Sequence, residues 1–233
     1  SPVHARPRKS SRCRPFLFTP PQVKLLLELA SLLPDTNKGP HRGQTYRMIF
    51  AMMYALGLRV SEASGLCYQD VDLERQLLFI RETKFSKDRL VPFGPNLHHA
   101  LSDYLRFKEA CDGKLSLNAP IFTFYGGHCV HPGTISQTFH RIVVEHPFDV
   151  PPGSSSPQLH CLRHSFAVGT LLRWYRAGID PTQRLIHLST FLGHVDPLST
   201  AWYLTITDEL LDEANQRYEN ICAPLKLKEG GLL

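Results

Sequence analysis

The stretch that decides the fold begins with His160-Cys161-Leu162-Arg163-His164, continues to Leu192-Gly193-His194 and ends on Trp202-Tyr203. Apolar residues recur at helical spacing over residues 162–174, which predicts a helix there. His160 and Arg163 would then lie one turn apart on one face, so their polar ends can converge on one small target. A guanidinium fork and an imidazole suit the non-bridging oxygens of a phosphate. The stretch therefore predicts a phosphate-binding site.

The composition is that of a globular domain with a small positive charge. The chain has 233 residues, and its 26 Lys and Arg outnumber 21 Asp and Glu, which permits a polyanionic partner without requiring one. Residues 1–18 are rich in Pro, Arg and Ser, and their composition predicts a basic linker or arm outside the fold. Such an arm is either a solvated tail or a segment that follows a phosphate backbone.

The cysteine pattern and the hydropathy of the chain favour a cytosolic location. Six cysteines are scattered without repeated spacing in a chain too large to need disulfides, which favours reduced thiols and a cytosolic protein. Apolar runs are too short to cross a bilayer, and the N-terminus has no hydrophobic signal segment. We therefore expect a soluble protein without membrane contact.

Hydrophobic periodicity predicts a mainly α-helical domain with a small antiparallel β-sheet, an α+β fold, over residues 19–222. Residues 223–233 are predicted to be a tail. Two strands, at residues 77–81 and 90–93, are expected to form a hairpin, and residues 121–124 a further short strand. Helices are predicted to start at Thr19, Gln44, Asn96, Pro132, Leu162, Pro181 and Asp208.

The local sequence around Arg59 and around Lys84 allows either a functional or a purely structural role for each residue. Arg59 follows the helix-ending Gly57 in an apolar setting, where a charge needs a partner, and Glu62 could be no more than that partner. Lys84 lies in the hairpin connection with Lys87 and other charged residues, and such connections are usually solvated.

Metal sites are not predicted. The tract His128-Cys129-Val130-His131 lacks a second cluster with the paired spacing that zinc needs. His160 and His164 are spaced as in helical zinc sites, but Arg163 between them would repel a cation. We interpret His164 as a structural hydrogen-bonding residue.

Taken together, five segments resemble the tyrosine recombinases, also called the phage integrase family. They are residues 55–62 (ALGLRVSE), 83–92 (TKFSKDRLVP), 160–167 (HCLRHSFA), 192–194 (LGH) and Tyr203, in family order and at family-like spacing. The resemblance covers the chain from about Phe16 to Tyr218. Residues 174–178 and 188–194 are most similar to integrases of transposons and related mobile elements.

The resemblance implies six catalytic residues: Arg59, Lys84, His160, Arg163, His194 and Tyr203. Tyr203 would attack a DNA phosphate, leaving a 3′-phosphotyrosyl link and a free 5′-hydroxyl. Two arginines would hold the non-bridging oxygens. Their permanent charge would also stabilise the pentacoordinate transition state, and positive charge favours ionisation of a phenol whose ordinary pKa is about 10.

The other three residues would complete the reaction. His194 would assist the arginines, Lys84 would be the general acid for the leaving 5′-oxygen, and His160 would handle the proton of the tyrosine. The resemblance implies no cofactor: the two guanidinium charges make a metal unnecessary, and the tyrosyl ester retains the energy of the phosphodiester bond, so no ATP is required.

The expected partner is double-stranded DNA, on which copies of the chain would self-associate as a tetrameric synapse in a bacterial cytoplasm. Two alternatives are a DNA-relaxing enzyme of the type IB topoisomerase kind and a non-catalytic DNA-binding accessory protein. Family members usually carry an N-terminal core-binding domain, and this chain begins at what resembles the linker after it. It is therefore expected to be a fragment or a smaller family member.

Overall fold

The fold is mainly helical with one small sheet, as the periodicity predicts. The computed structural model describes residues 14–81, 88–113, 116–124, 127–194 and 198–222. The helices are α1 (Pro20–Ser31), α2 (Arg42–Leu56), α3 (Val60–Ser64), α4 (Pro95–Asp112), α5 (Pro132–Glu145), α6 (Cys161–Arg176), α7 (Pro181–Leu192) and α8 (Leu198–Cys222). A short 3-10 helix (Tyr68–Asp70) precedes the strands β1 (Val71–Asp72), β2 (Leu77–Ile80) and β3 (Arg89–Pro92).

The sheet is antiparallel in the order β1-β2-β3, which confirms the predicted hairpin. Leu78 pairs with Val91, and both side chains are fully buried, whereas Leu90 is 57% exposed. The strand predicted at residues 121–124 is wrong: the structure has a single bridge there, between Thr123 and Cys129. That short apolar run is buried as a loop, because burial of a few apolar residues does not require a ladder.

The main core packs α1, α2, α4 and α5 with the sheet. Thr19 starts α1 with a capping box to Gln22, as its position before two prolines predicts. The packed part of the chain begins before this helix, because the rings of Phe16 and Phe18 are buried and meet edge to face at 4.8 Å. These two residues fall within the predicted arm but belong to the core.

A second apolar cluster joins α6, α7 and α8 and includes Leu171, Leu192, Tyr203 and Ile206. Helix α8 begins at Leu198 instead of at the predicted Asp208. The added segment is rich in aromatic and β-branched residues, which are poor helix formers, so packing against α6 and α7 outweighs propensity there. Tyr203 consequently lies on a helix and is 2% exposed.

Gly57 marks the point where these two parts of the core meet. It ends α2 in the left-handed conformation, with φ at 61°. A Cβ atom at this position would lie 2.6 Å from the ring of Phe166 in α6 and 2.8 Å from Leu192 in α7. The glycine therefore allows three helices to approach closely. Within the described residues, no helix is both long enough and apolar enough to cross a membrane.

We expect Gly57→Ala to lower the free energy of unfolding by roughly 2–4 kcal/mol. This is the cost of placing alanine in the left-handed conformation plus the cost of overpacking against Phe166 and Leu192. Gly178→Ala is the matched control, since Gly178 also has a positive φ, of 70°, but has nothing within 4 Å of the added Cβ. The control should lose only about 1–2 kcal/mol. Urea unfolding of both variants measures the difference, and equal losses would contradict close packing at Gly57.

Candidate active site

The candidate site lies where α2 and α7 end and α6 begins. Helix α2 ends at Gly57, and α7 ends at Leu192 before the left-handed Gly193, whose φ is 65°. The last carbonyl groups of a helix have no partner within it and carry its negative dipole end. Two such ends pointing at one place favour cationic side chains between them.

Arg163, in the first turn of α6, joins these two helix ends. Its Nη1 donates to the Gly57 carbonyl at 2.5 Å and its Nη2 to the Leu192 carbonyl at 2.7 Å. The residue is 1% exposed. Burial and, to a smaller extent, the nearby charge of Arg59 together lower the pKa of Arg163 to about 10, so the guanidinium stays charged at neutral pH. A permanent positive charge is therefore built into the core beneath the site.

Arg59, immediately before α3, contacts the same helix end. Its Nη2 donates to the Gly193 carbonyl at 2.8 Å, and its Nη1 to Glu62 Oε1 at 2.7 Å. The predicted pair with Glu62 is thus confirmed. The Arg59 side chain is nevertheless 27% exposed, so part of its guanidinium can still reach a bound anion.

Arg89 is a member of the site that sequence analysis missed. Its two terminal nitrogens donate to Glu62 at 2.9 and 2.8 Å, and its Nε donates to the Phe191 carbonyl at 2.9 Å. The side chains of Arg89 and Glu62 are nearly buried, with exposed fractions of 8% and 4%. Burial alone would raise the pKa of Glu62, but hydrogen bonds and charge from Arg89, with those from Arg59, lower it to about 2. One carboxylate is therefore shared by two arginines.

The alternation along β3 could have revealed Arg89. The predicted strand begins at Leu90, which leaves Arg89 in the solvated connection. A strand that begins one residue earlier places Arg89 on the same face as the buried Val91, with the exposed Leu90 on the other.

Tyr203 enters the site from α8 and contacts His164. Its Oη lies 2.9 Å from His164 Nδ1. Burial raises the pKa of Tyr203, while the positive charges of Arg163 and Arg59 oppose that rise. Burial, together with the charges of His160, Arg163 and His194, lowers the pKa of His164 to about 3. A protonated phenol therefore faces a neutral imidazole, which agrees with the hydrogen-bonding role predicted for His164.

His194 follows the end of α7 and is held by α8. Its Nδ1 lies 2.7 Å from Oγ1 of the fully buried Thr200, and its ring stacks on Tyr203 with centroids 6.3 Å apart. Burial, then the charges of Arg163 and Arg59, lower the pKa of His194 to about 4. No sequence signal marks Thr200, because its role depends on α8 starting earlier than predicted.

Five of the six sequence-predicted residues thus come together. His160, the cap residue of α6, is exposed, and its ring meets that of His164 edge to face with centroids 4.5 Å apart. Arg163, one turn away, points into the core instead of sharing that exposure. The sixth residue, Lys84, lies outside the described residues. In the part of the chain that the structure describes, no group of three or more His, Cys, Asp or Glu side chains could hold a metal ion.

Arginine charge around a buried tyrosine defines a domain that can bind a phosphodiester and present a phenol to it. Residues 19–209 match the model of the phage integrase family, so the chain belongs to that family, the tyrosine-type site-specific recombinases. Sinorhizobium fredii has a relative, y4rB, named as an integrase/recombinase and 37% identical over 214 residues. Tyrosine recombinase XerC of Bacillus pumilus is 29% identical over 208 residues.

Coverage differs between this chain and its relatives. The matches to y4rB and XerC cover 91% and 88% of this chain but 68% and 61% of the relatives. Among solved structures, XerA recombinase is similar with a TM-score of 0.65 at 23% identity, over 88% of this chain and 65% of that one. The catalytic domain of bacteriophage HP1 integrase has a TM-score of 0.52 at 21% identity, over 94% of this chain and 100% of that one. These structures share the fold.

We expect Glu62→Gln to lower the free energy of unfolding by about 3–5 kcal/mol, because it leaves buried guanidinium charge without a counterion. Asp103→Asn is the control, since its pair with Arg106 is exposed, at 70% and 76%, and should contribute less than about 1 kcal/mol. Urea unfolding at neutral pH measures both. A loss at Glu62 no larger than that at Asp103 would show that the shared carboxylate does not hold the arginines.

Proposed function

We propose that this chain is the catalytic domain of a recombinase that cleaves and rejoins DNA through a 3′-phosphotyrosyl intermediate. The observation that carries the proposal is the position of Tyr203 Oη, next to His164 and within the field of Arg163 and Arg59 of the same chain. Membership of the phage integrase family supports it. A protein that only binds DNA has no need of a buried tyrosine among arginines.

In the proposed reaction, a DNA phosphate binds at the accessible part of Arg59, above the buried Arg163. Tyr203 Oη attacks phosphorus, a P–O bond to tyrosine forms, and the bond to the 5′-oxygen breaks. The two guanidinium charges are already in place and stabilise the charge that develops on the non-bridging oxygens. His194, held by Thr200, assists at the same phosphate.

Two proton transfers accompany this exchange. The exposed His160 takes the proton that Tyr203 loses, and Lys84 supplies one to the 5′-oxygen, which would otherwise leave as a poor alkoxide. Strand β3, which follows the segment containing Lys84, is attached to the site by Arg89 through Glu62 and the Phe191 carbonyl. No metal is required, because the guanidinium charges stabilise the transition state, and no ATP is required, because the tyrosyl ester retains the energy needed for rejoining.

We further propose that the substrate is double-stranded DNA and that four copies form the active synapse. XerH recombinase bound to its palindromic difH substrate and Tn1549 transposon integrase bound to circular intermediate DNA have this fold, with TM-scores of 0.63 and 0.57. Helix α8 extends from Leu198 to Cys222, well past Tyr203, and its last turns are proposed to dock on a neighbouring copy. The similarity to transposon integrases favours a mobile element as the source of the DNA.

Incubation with a pool of nicked duplexes, randomised around the nick, tests the nucleophile. We expect the chain to form a covalent adduct that survives denaturing electrophoresis, and Tyr203→Phe to abolish it while leaving DNA affinity within about twofold. Tyr175→Phe is the control, because this tyrosine also links α6 to α8, through Asp208 at 2.9 Å. A full adduct yield from Tyr203→Phe would refute the assignment. An accessory binding protein would give no adduct in any variant.

The role of Lys84 is tested with the same duplexes carrying a 5′-bridging sulfur at the scissile phosphate. We expect Lys84→Ala to cut the oxygen substrate at least about 100-fold more slowly, and to cut the sulfur substrate at nearly the wild-type rate, because a thiolate leaves without a proton. Lys87→Ala, in the same connection, should behave as wild type on both. If sulfur does not restore cleavage, Lys84 is not the general acid.

A further inference from the structure

We propose that His164 is a positioning residue for the nucleophile: its neutral imidazole accepts the hydrogen bond of the Tyr203 phenol and holds Oη beside Arg163 of the same chain. The inference rests on the proposed function, in which Tyr203 attacks the phosphate. It assigns to His164 a task separate from the proton transfer given to His160.

The geometry fixes the imidazole as well as the phenol. His164 lies on α6 directly after the buried Arg163, and its Nδ1 is 2.9 Å from Oη of Tyr203 on α8. Three aromatic rings contact the imidazole: His160 at 4.5 Å, Trp202 at 5.5 Å and Tyr203 at 5.6 Å between centroids. These contacts restrict the ring plane, so Nδ1 is held in the direction of the phenol.

The surrounding charges determine which group donates. His160 and Arg163 face His164 from its own helix, and His194 faces it from the end of α7. Burial and these positive charges lower the pKa of His164 to about 3, so the ring is neutral and one nitrogen is free to accept. Burial raises the pKa of Tyr203, so the phenol keeps its proton and donates a hydrogen bond to Nδ1 of His164.

This arrangement orients the attacking oxygen. With the O–H bond directed at His164, the lone pairs of Tyr203 Oη are left to face the guanidinium of Arg163, whose charge and hydrogen bond oppose the rise in the pKa of the phenol. Rotation of the phenol O–H and displacement of the ring are both restricted before DNA arrives. Holding a reacting group in this way lowers the entropy that must be lost in the transition state.

The same charges argue against His164 as the base. A proton placed on its ring would sit against Arg163 and two other histidines. His160 is exposed at the start of α6, where a proton can pass to water, and the proposed proton transfer is assigned to it. His164 therefore affects the rate through the position of Tyr203 and not through its own titration.

Three substitutions test the inference in single-turnover adduct formation on the nicked duplex pool. Asn can place an amide oxygen close to the position of Nδ1, whereas Gln places its amide near Nε2 and Leu offers no acceptor. We expect His164→Asn to stay within about threefold of wild type. His164→Gln and His164→Leu should be about 10- to 100-fold slower, because a buried phenol loses its acceptor. DNA affinity should not change.

A pH series completes the test. If His164 only positions the phenol, the rate of His164→Leu is lower than that of the wild type by the same factor at every pH from about 6 to 9. His160→Asn should instead change the shape of the pH–rate profile. The inference is overturned if His164→Asn is as slow as His164→Gln, or if neither is slower than wild type. Urea unfolding checks that each variant is folded. If His164→Leu does not fold, the comparison of His164→Asn with His164→Gln decides the test. Failure of the wild-type chain to form any adduct would instead reject the proposed function.

Discussion

The buried guanidinium of Arg163, bonded to the last carbonyl groups of two helices, is the interaction on which the rest of the site depends. It donates to the Gly57 carbonyl at the end of α2 and to the Leu192 carbonyl at the end of α7, and Arg59 also donates to the Leu192 carbonyl, at 3.4 Å. The two left-handed glycines, Gly57 and Gly193, let those helix ends come close enough to share it. A single cation thereby stabilises the helix junction and carries positive charge into the candidate active site.

That charge is only partly balanced by protein groups. Glu62 forms hydrogen bonds with both Arg59 and Arg89, and it is held ionised by them. Arg163 is bonded to carbonyl dipoles instead of to a carboxylate. Carbonyl groups orient a guanidinium without neutralising it, so a bound phosphate would supply the missing negative charge. A carboxylate in direct contact with Arg163 would stabilise the core but compete with the substrate.

The tyrosine is placed both by the packing of α8 on α6 and α7 and by its hydrogen bond to His164. Its ring belongs to the second apolar cluster, while Oη reaches His164 and the stacked His194 is held by Thr200. Helix α8 thus positions the proposed nucleophile, Tyr203, and His194 together. If the end of α8 docks on a neighbouring copy as proposed, that contact would act on the same helix that carries Tyr203.

The sequence alone predicts the helical class, the hairpin, the glycine that ends α2, and the set of residues whose chemistry suits a phosphodiester. The helices and the hairpin are local features, because periodicity and caps lie within one or two turns of the chain. The site residues were identified from the order and spacing of five separate segments. The tertiary structure was needed to show that Arg89 faces inward to Glu62 and that α8 begins at Leu198. It also shows that His164 contacts Tyr203 and that Thr200 contacts His194. Each of these depends on segments far apart in the chain, and packing between helices, not local propensity, sets which of their side chains meet.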